Sequence, residues 1–248
     1  MEALFGELDL FFLILLPIVA FLYASVGHGG ASGYLGLMVF FDFAPAEMKP
    51  MALLLNLFVA AVSFLHYWKG GHFKLKLFLP FAIASIPAAF LGGLIEVETN
   101  LYKQILGVLL LIAMLRMLNV FGGDRETNRD VKFWQGILIG GGIGFFSGLI
   151  GIGGGIILTP VILLFSWGRM KEAAAVSALF IWVNSASGLG GQLISGVSFG
   201  YEAITMVLFA FVGGFFGGYL GSRKMNNSTL RYLLALVLLL ASAKLFIL

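Results

Sequence analysis

Two uncharged stretches constrain this chain more than any other feature, because each is too long for one membrane crossing and too short for two. They cover residues 10–41 and 133–168, which are 32 and 36 residues long. A continuous helix of 32 residues would be about 48 Å long, whereas the hydrocarbon core of a bilayer is about 30 Å thick. Two full crossings need roughly 40 residues and a turn. Each stretch is therefore predicted to form a broken or re-entrant helix pair.

A glycine cluster marks the predicted break in each stretch. The clusters are Gly27-His28-Gly29-Gly30 and Gly151-Ile152-Gly153-Gly154-Gly155, and they lie 124 residues apart in a chain of 248. Interrupted hydrophobic segments at corresponding positions of two halves are the best indication of a transport site that a membrane-protein sequence offers.

The composition predicts a multi-pass membrane protein. Hydrophobic residues make up 60% of the chain and charged residues only 11%, against roughly 25% charged residues in soluble domains. The chain has no Cys and three scattered His, so neither a metal site nor a cofactor is expected. The sequence contains no basic arm that would indicate nucleic acid binding. It also contains no phosphate-binding loop that would indicate ATP as the energy source.

We predict an all-α fold of ten segments, five in each half. The first repeat (1–121) contains segments 10–26, 32–41, 50–68, 77–95 and 101–120. A polar linker (122–131) precedes the second repeat (132–248), with segments 133–149, 156–167, 173–195, 203–222 and 230–248. A broken or re-entrant pair opens each repeat.

The basic residues predict how these segments are oriented. If each opening pair returns to the side on which it started, 12 of the 15 Lys and Arg residues share one side of the membrane. If each pair crosses once, the split is 8 against 7. Basic residues accumulate on the cytoplasmic side, which favours the returning pairs. Three crossings then complete each half, so we expect inverted repeats in the cell (inner) membrane with both termini outside.

One part of the second half resembles a known family. The motif is Gly148 to Gly155 followed by a helix that ends in Thr159-Pro160, with the helix Ala173-Ala174-Ala175-Val176-Ser177-Ala178-Leu179 after Lys171-Glu172. In these residues, and from about Phe12 to its end, the chain resembles the sulfite exporter TauE/SafE family, also called 4-toluene sulfonate uptake permeases. The resemblance implies export of sulfite, sulfonates or other small organic or sulfur-containing anions.

The glycine breaks suit an anion for a physical reason. The first N–H groups of a helix have no partner within it, and with the helix dipole they bind anions without a formal charge. Glycines that only permit close helix packing are the alternative. The predicted substrate site comprises Gly27, His28, Gly29, Gly30, Ser32, Asn56, Gly151, Gly153, Gly154, Gly155, Thr159, Asn184 and Ser187.

The polar members of this set have alternative roles. His28 is a candidate proton carrier or anion ligand, because imidazole titrates near physiological pH; a neutral imidazole bonded to a carbonyl at the break is the other interpretation. Asn56, Asn184 and Ser187 either donate to the anion or form interhelical hydrogen bonds. Ser32 and Thr159 either donate to it or bond back to the backbone.

Two other functions compete with a secondary transporter that works by alternating access. A passive anion channel is one, although no ring of charge or carbonyl filter is evident. An intramembrane serine protease of the rhomboid kind is the other, because Gly30-Ala31-Ser32-Gly33 resembles its nucleophile motif and His66 is the available base. The partners we expect are a small anion and the lipid bilayer, with a homodimer left open.

Overall fold

The computed structural model describes residues 10–41, 43–95 and 129–226, with isolated positions between 104 and 111 and between 228 and 243. These three ranges form eight helices and no strand. The helices are α1 (Leu10–Ser25), α2 (Ala31–Phe40), α3 (Pro45–Lys69), α4 (Leu75–Gly93), α5 (Phe133–Ile150), α6 (Gly155–Leu164), α7 (Met170–Ile194) and α8 (Glu202–Arg223).

The first four predicted segments of each half are confirmed as helices. Five of them, α3, α4, α5, α7 and α8, are long and apolar enough to cross a membrane, whereas α1 and α6 are shorter apolar helices. The helix α3 begins at Pro45, five residues before the predicted start, and continues through Pro50. The predicted segments 101–120 and 230–248, and most of the linker, lie outside the described residues.

A ladder of glycines joins α8 to α1. A Cβ atom added to any of three glycines on α8 would collide with a backbone carbonyl of α1, so only glycine allows this separation. The colliding pairs are Gly213 with Pro17, Gly217 with Phe21, and Gly221 with Ser25. Both numbers advance by four, so the two helices run parallel.

The same arrangement joins α5 to α4. Here the glycines lie on α5, and the colliding pairs are Gly140 with Phe81, Gly144 with Ser85, and Gly148 with Ala89. Because both numbers again advance together, α5 runs parallel to α4. The opening helix of each half therefore packs against the fourth helix of the other half.

The helices α1 and α2 form an antiparallel hairpin. Near the break, the Tyr23 and Ser32 hydroxyls are 2.8 Å apart. At the other end of the hairpin, the ring of Phe12 packs on Phe41 and Phe43, with centroids 5.4 and 5.1 Å apart. The chain therefore returns from the break to the level at which α1 began.

A second hairpin consists of α5 and α6. The Arg129 N–H, ahead of α5, donates to the carbonyl of Ser166, after α6, at 2.8 Å. At the break, a Cβ on Gly154 would lie 3.3 Å from Ser147 Cβ on α5. The two hairpins thus have the same form.

The long helices α3 and α7 cross at the centre of the protein and run antiparallel. Three contacts establish the direction, because residue numbers on α7 rise as those on α3 fall: Tyr67 with Ala174, Asn56 with Ser185, and Leu53 with Gly188. These two helices, the third of each half, therefore point in opposite directions.

Basic side chains gather at one end of this bundle. Lys74 at the start of α4 pairs with Glu172 of α7 at 2.7 Å. Lys171 Nζ and His72 Nε2 both hydrogen-bond the Ser222 carbonyl near the end of α8, each at 3.2 Å. The ends of α4, α7 and α8 are therefore tied together on this side.

The glycine ladders predict a position-specific effect on stability within α5. A Cβ on Gly144 would lie 2.5 Å from Ser85 Cα, whereas one on Gly142 has nothing within 4 Å. Overpacking costs about 1–3 kcal/mol, so Gly144→Ala should lower the melting temperature in detergent by roughly 2–10 °C. Gly142→Ala is the matched control and should change it by less than about 2 °C. Equal melting temperatures for the two variants would contradict the parallel contact.

Candidate functional site

Both breaks are built from glycines in the left-handed backbone region, which side-chain-bearing residues rarely adopt. In the first break, Gly27 and Gly30 have φ values of +79° and +102°. In the second, Gly151, Gly153 and Gly154 have φ values of +83°, +72° and +78°. Such residues stop one helix and allow the next to start within a few residues, and this explains why glycines cluster at these positions.

The two breaks converge on the same pair of side chains, Asn56 of α3 and Ile181 of α7. A Cβ on Gly29 would collide with the Asn56 amide and lie 3.0 Å from Ile181 Cγ2. A Cβ on Gly153 would lie 2.7 Å from Asn56 Nδ2 and 2.7 Å from Ile181 Cγ2. Since Asn56 and Ile181 lie near the middle of 25-residue helices, the breaks meet about halfway through the bundle.

Asn56 connects the first break to the second half. Its Oδ1 accepts a hydrogen bond from the Ala31 N–H, at the start of α2, at 3.1 Å. Its Nδ2 donates to Ser185 Oγ of α7 at 3.3 Å. Asn56, Ser185 and Ala31 are all buried.

His28 lies between the two breaks with 1% of its surface exposed. Its Nδ1 is 3.0 Å from the Val26 carbonyl, and the ring also interacts with the backbone of Gly155 in the second break. Its Nε2 is buried and has no hydrogen-bond partner. A buried polar atom without a partner is uncommon and calls for a water, an ion or a ligand.

A small cavity with room for about one water molecule lies where the breaks meet. The first half contributes its polar lining and the second half contributes isoleucines: Tyr23, His28, Gly29, Gly30, Ala31 and Ser32 face Ile152, Ile156 and Ile181. No residue of this lining carries a charge. The structure thus brings His28, Gly29, Gly30 and Ser32 together around one space, whereas Gly27 packs on the Ala174 backbone and Gly151 on Lys49.

Three polar residues of the predicted site bond elsewhere. Thr159 Oγ1 donates to Ser177 Oγ of α7 at 2.7 Å. Asn184 Nδ2 donates to the Phe180 carbonyl of its own helix at 2.8 Å. Ser187 Oγ donates to the Ile86 carbonyl of α4 at 2.5 Å. These three side chains do not line the cavity.

Two residues at the break were not predicted from the sequence. Tyr67 precedes Trp68 and Lys69 and would normally lie at a membrane interface, yet it is fully buried and donates to the Ser25 carbonyl at 2.6 Å. Tyr23 lines the cavity and bonds Ser32. Neither stands next to a motif, so only the packing of α1 against α3 and α2 reveals them.

The arrangement offers no catalytic pair. Ser32 bonds Tyr23, whereas the ring of His66 packs on Phe215 and Tyr219 of α8. Among the described residues, no group of three or more His, Asp or Glu could hold a metal ion. What the geometry provides is an uncharged, buried set of N–H and O–H donors beside a helix start.

Comparison with known proteins decides the family. The sequence pattern of the sulfite exporter TauE/SafE family matches residues 11–245. The chain belongs to this family. This is a family of membrane transporters. The protein is therefore not an enzyme, and the protease interpretation is wrong.

Individual relatives agree with this assignment. Over 92% of the chain and 94% of the relative, the protein is 33% identical to "Probable membrane transporter protein y4hK" of Sinorhizobium fredii. It is 27% identical to "Probable membrane transporter protein YunE" of Bacillus subtilis, over 84% of the chain and 83% of the relative. No solved structure matches the chain.

The convergence of the breaks predicts that Gly153 tolerates no side chain. Gly196, in the loop after α7, has a comparable φ of +93° but nothing within 4 Å of an added Cβ. Both Gly→Ala variants carry the same backbone strain, about 1–2 kcal/mol. Gly153→Ala should lose a further 1–3 kcal/mol or so from the collisions with Asn56 and Ile181. Thermal unfolding in detergent measures this difference, and equal losses would argue against the close approach.

Proposed function

We propose that this protein is a secondary transporter that exports a small anion, such as sulfite, a sulfonate or a related organic or sulfur-containing anion. The observation that carries the proposal is the meeting of the two glycine breaks at the start of α2, deep inside an uncharged part of the bundle. The direction of transport follows the description of the family.

The start of α2 is suited to an anion because its first N–H groups have no partner within the helix. The helix dipole adds a partial positive charge at the same point. Ser32 Oγ and His28 Nε2 lie beside this helix start and supply further polar atoms. Gly29 and Gly30 line the cavity without a side chain of their own, so the backbone itself faces this space.

Inverted repeats explain the packing. We propose that the two halves are inverted copies of each other, so that exchanging the halves superimposes one hairpin on the other. The antiparallel crossing of α3 and α7 supports this proposal. Nine described basic residues lie at the end of the bundle where α4, α5 and α7 begin: Lys69, Lys74, Lys76, Arg129, Lys132, Arg169, Lys171, Arg223 and Lys224. By the positive-inside rule this end is cytoplasmic, and α1 begins at the opposite end, which supports the proposed topology with both termini outside.

Close packing on both sides of the cavity supports alternating access. Toward the basic end, Tyr67 covers the first break through its bond to Ser25. Toward the other end, Phe12, Phe41 and Phe43 pack together. The cavity holds about one water, so an anion can enter or leave only when the halves move, as expected for a carrier rather than an open channel.

The proposal is tested by ligand-dependent thermal shifts of the purified protein with sulfite, methanesulfonate and acetate. An anion that binds the native state raises its stability by about 2.7 kcal/mol at 100 times its Kd. Sodium chloride at equal ionic strength is the control. A shift with at least one sulfur anion, and saturable flux of that anion in proteoliposomes, is the expected result. Absence of any shift, or flux that never saturates, would refute the carrier.

We further propose that His28 carries the coupled proton. His28→Gln keeps a neutral polar side chain of similar reach but cannot take up a proton. The variant should still bind the anion that the native protein binds, while its flux should no longer respond to a pH gradient. An unchanged response to the gradient would remove His28 from the coupling mechanism.

A further inference from the structure

Asn56 already occupies the position that the proposed anion needs. Of the N–H groups at the start of α2, that of Ala31 donates to the Asn56 carboxamide oxygen at 3.1 Å. That oxygen carries a partial negative charge, and among the described residues no other side chain accepts a hydrogen bond from this N–H. In this conformation Asn56 therefore acts on the helix start as an anion would.

The available space makes the two occupants mutually exclusive. The cavity beside Ala31 and Ser32 holds about one water, and sulfite or a sulfonate is several times larger. Gly29 is packed so closely on the Asn56 amide that it leaves no room for even a methyl group. An anion that takes the Ala31 N–H must therefore displace the Asn56 oxygen.

We propose that Asn56 is a positioning residue whose carboxamide stands in for the substrate in the closed, empty transporter and is displaced when the anion binds. This inference rests on the proposed function, since it presupposes an anion at the start of α2. It assigns Asn56 a role other than that of a direct ligand.

The second hydrogen bond of Asn56 gives the displacement a consequence. Because Nδ2 donates to Ser185 of α7 at 3.3 Å, the same side chain links the first break to the second half. Release of the Ala31 N–H frees the Asn56 side chain to turn and weakens this link. Arrival of the anion thus loosens a contact between the halves, which couples binding to the movement that transport requires.

Asn184 is a buried asparagine that does not form the contacts of Asn56, so the role proposed for Asn56 depends on its position and not only on its residue type. It is as buried as Asn56 and lies near the middle of the corresponding helix α7. Its Nδ2, however, bonds the Phe180 carbonyl of its own helix, so it links neither break to the other half.

The test is the affinity of Asn56→Ala for the anion that the native protein binds, measured by titration calorimetry on the full-length protein in detergent. Removing the internal competitor should tighten binding about fivefold, the factor that corresponds to one ordinary hydrogen bond. Flux at saturating anion should fall, because the link that couples binding to movement is gone. Asn184→Ala measures the general cost of removing a buried asparagine.

Each outcome decides the inference. Tighter binding with slower saturated flux supports the inference. Weaker binding would identify Asn56 as a direct ligand, and unchanged binding would make the bond between Asn56 and Ala31 purely structural. Either of these two results overturns the inference. If Asn56→Ala does not fold, Asn56→Ser leaves a smaller gap, has a side chain too short to reach Ala31, and should give the same fivefold change. If the native protein binds no small anion at all, the proposed function fails instead.

Discussion

The structure depends on one constraint: a helix that is interrupted inside an apolar bundle must find partners for the backbone groups that the interruption frees. At the first break these partners come from α3. Ser63 and Tyr67 donate to the carbonyls of Ala24 and Ser25 at the end of α1. Asn56 Oδ1 accepts a hydrogen bond from the N–H of Ala31 at the start of α2. One long helix therefore satisfies both sides of the break, and these three side chains stabilise the hairpin.

The two halves meet the same constraint with different chemistry. Around the shared cavity, the first half presents His28 and Ser32, whereas the second half presents Ile152, Ile156 and Ile181. The backbone is thus similar in both breaks, while the polar side chains are concentrated in one. Under the proposed function, donors of the first half would hold the anion on one side, and the apolar side would move away from it during transport.

Much of this architecture follows from the sequence, because segment length, glycine position and charge distribution act through local rules. The breaks, the hairpin-forming segments and the boundaries of α1, α2 and α4 to α8 were predictable to within a few residues. The partners of the polar side chains were not, since they depend on the rotation of each long helix about its axis. Asn56 and Asn184 were both predicted site residues, yet the partner of Asn56 on α7 is Ser185, one residue after Asn184. Tyr67 appeared interfacial and is buried for the same reason.

We propose that the two breaks together form the anion site, and selenite, a heavier analogue of sulfite, provides the sharpest test. A crystal structure of the selenite complex would locate the bound anion by the anomalous scattering of selenium. We expect one strong peak between the first and second breaks, beside His28 and the first N–H groups of α2, with Asn56 turned away from Ala31. A peak only among the basic residues at the ends of α4, α7 and α8, with Asn56 still bonded to Ala31, would contradict it.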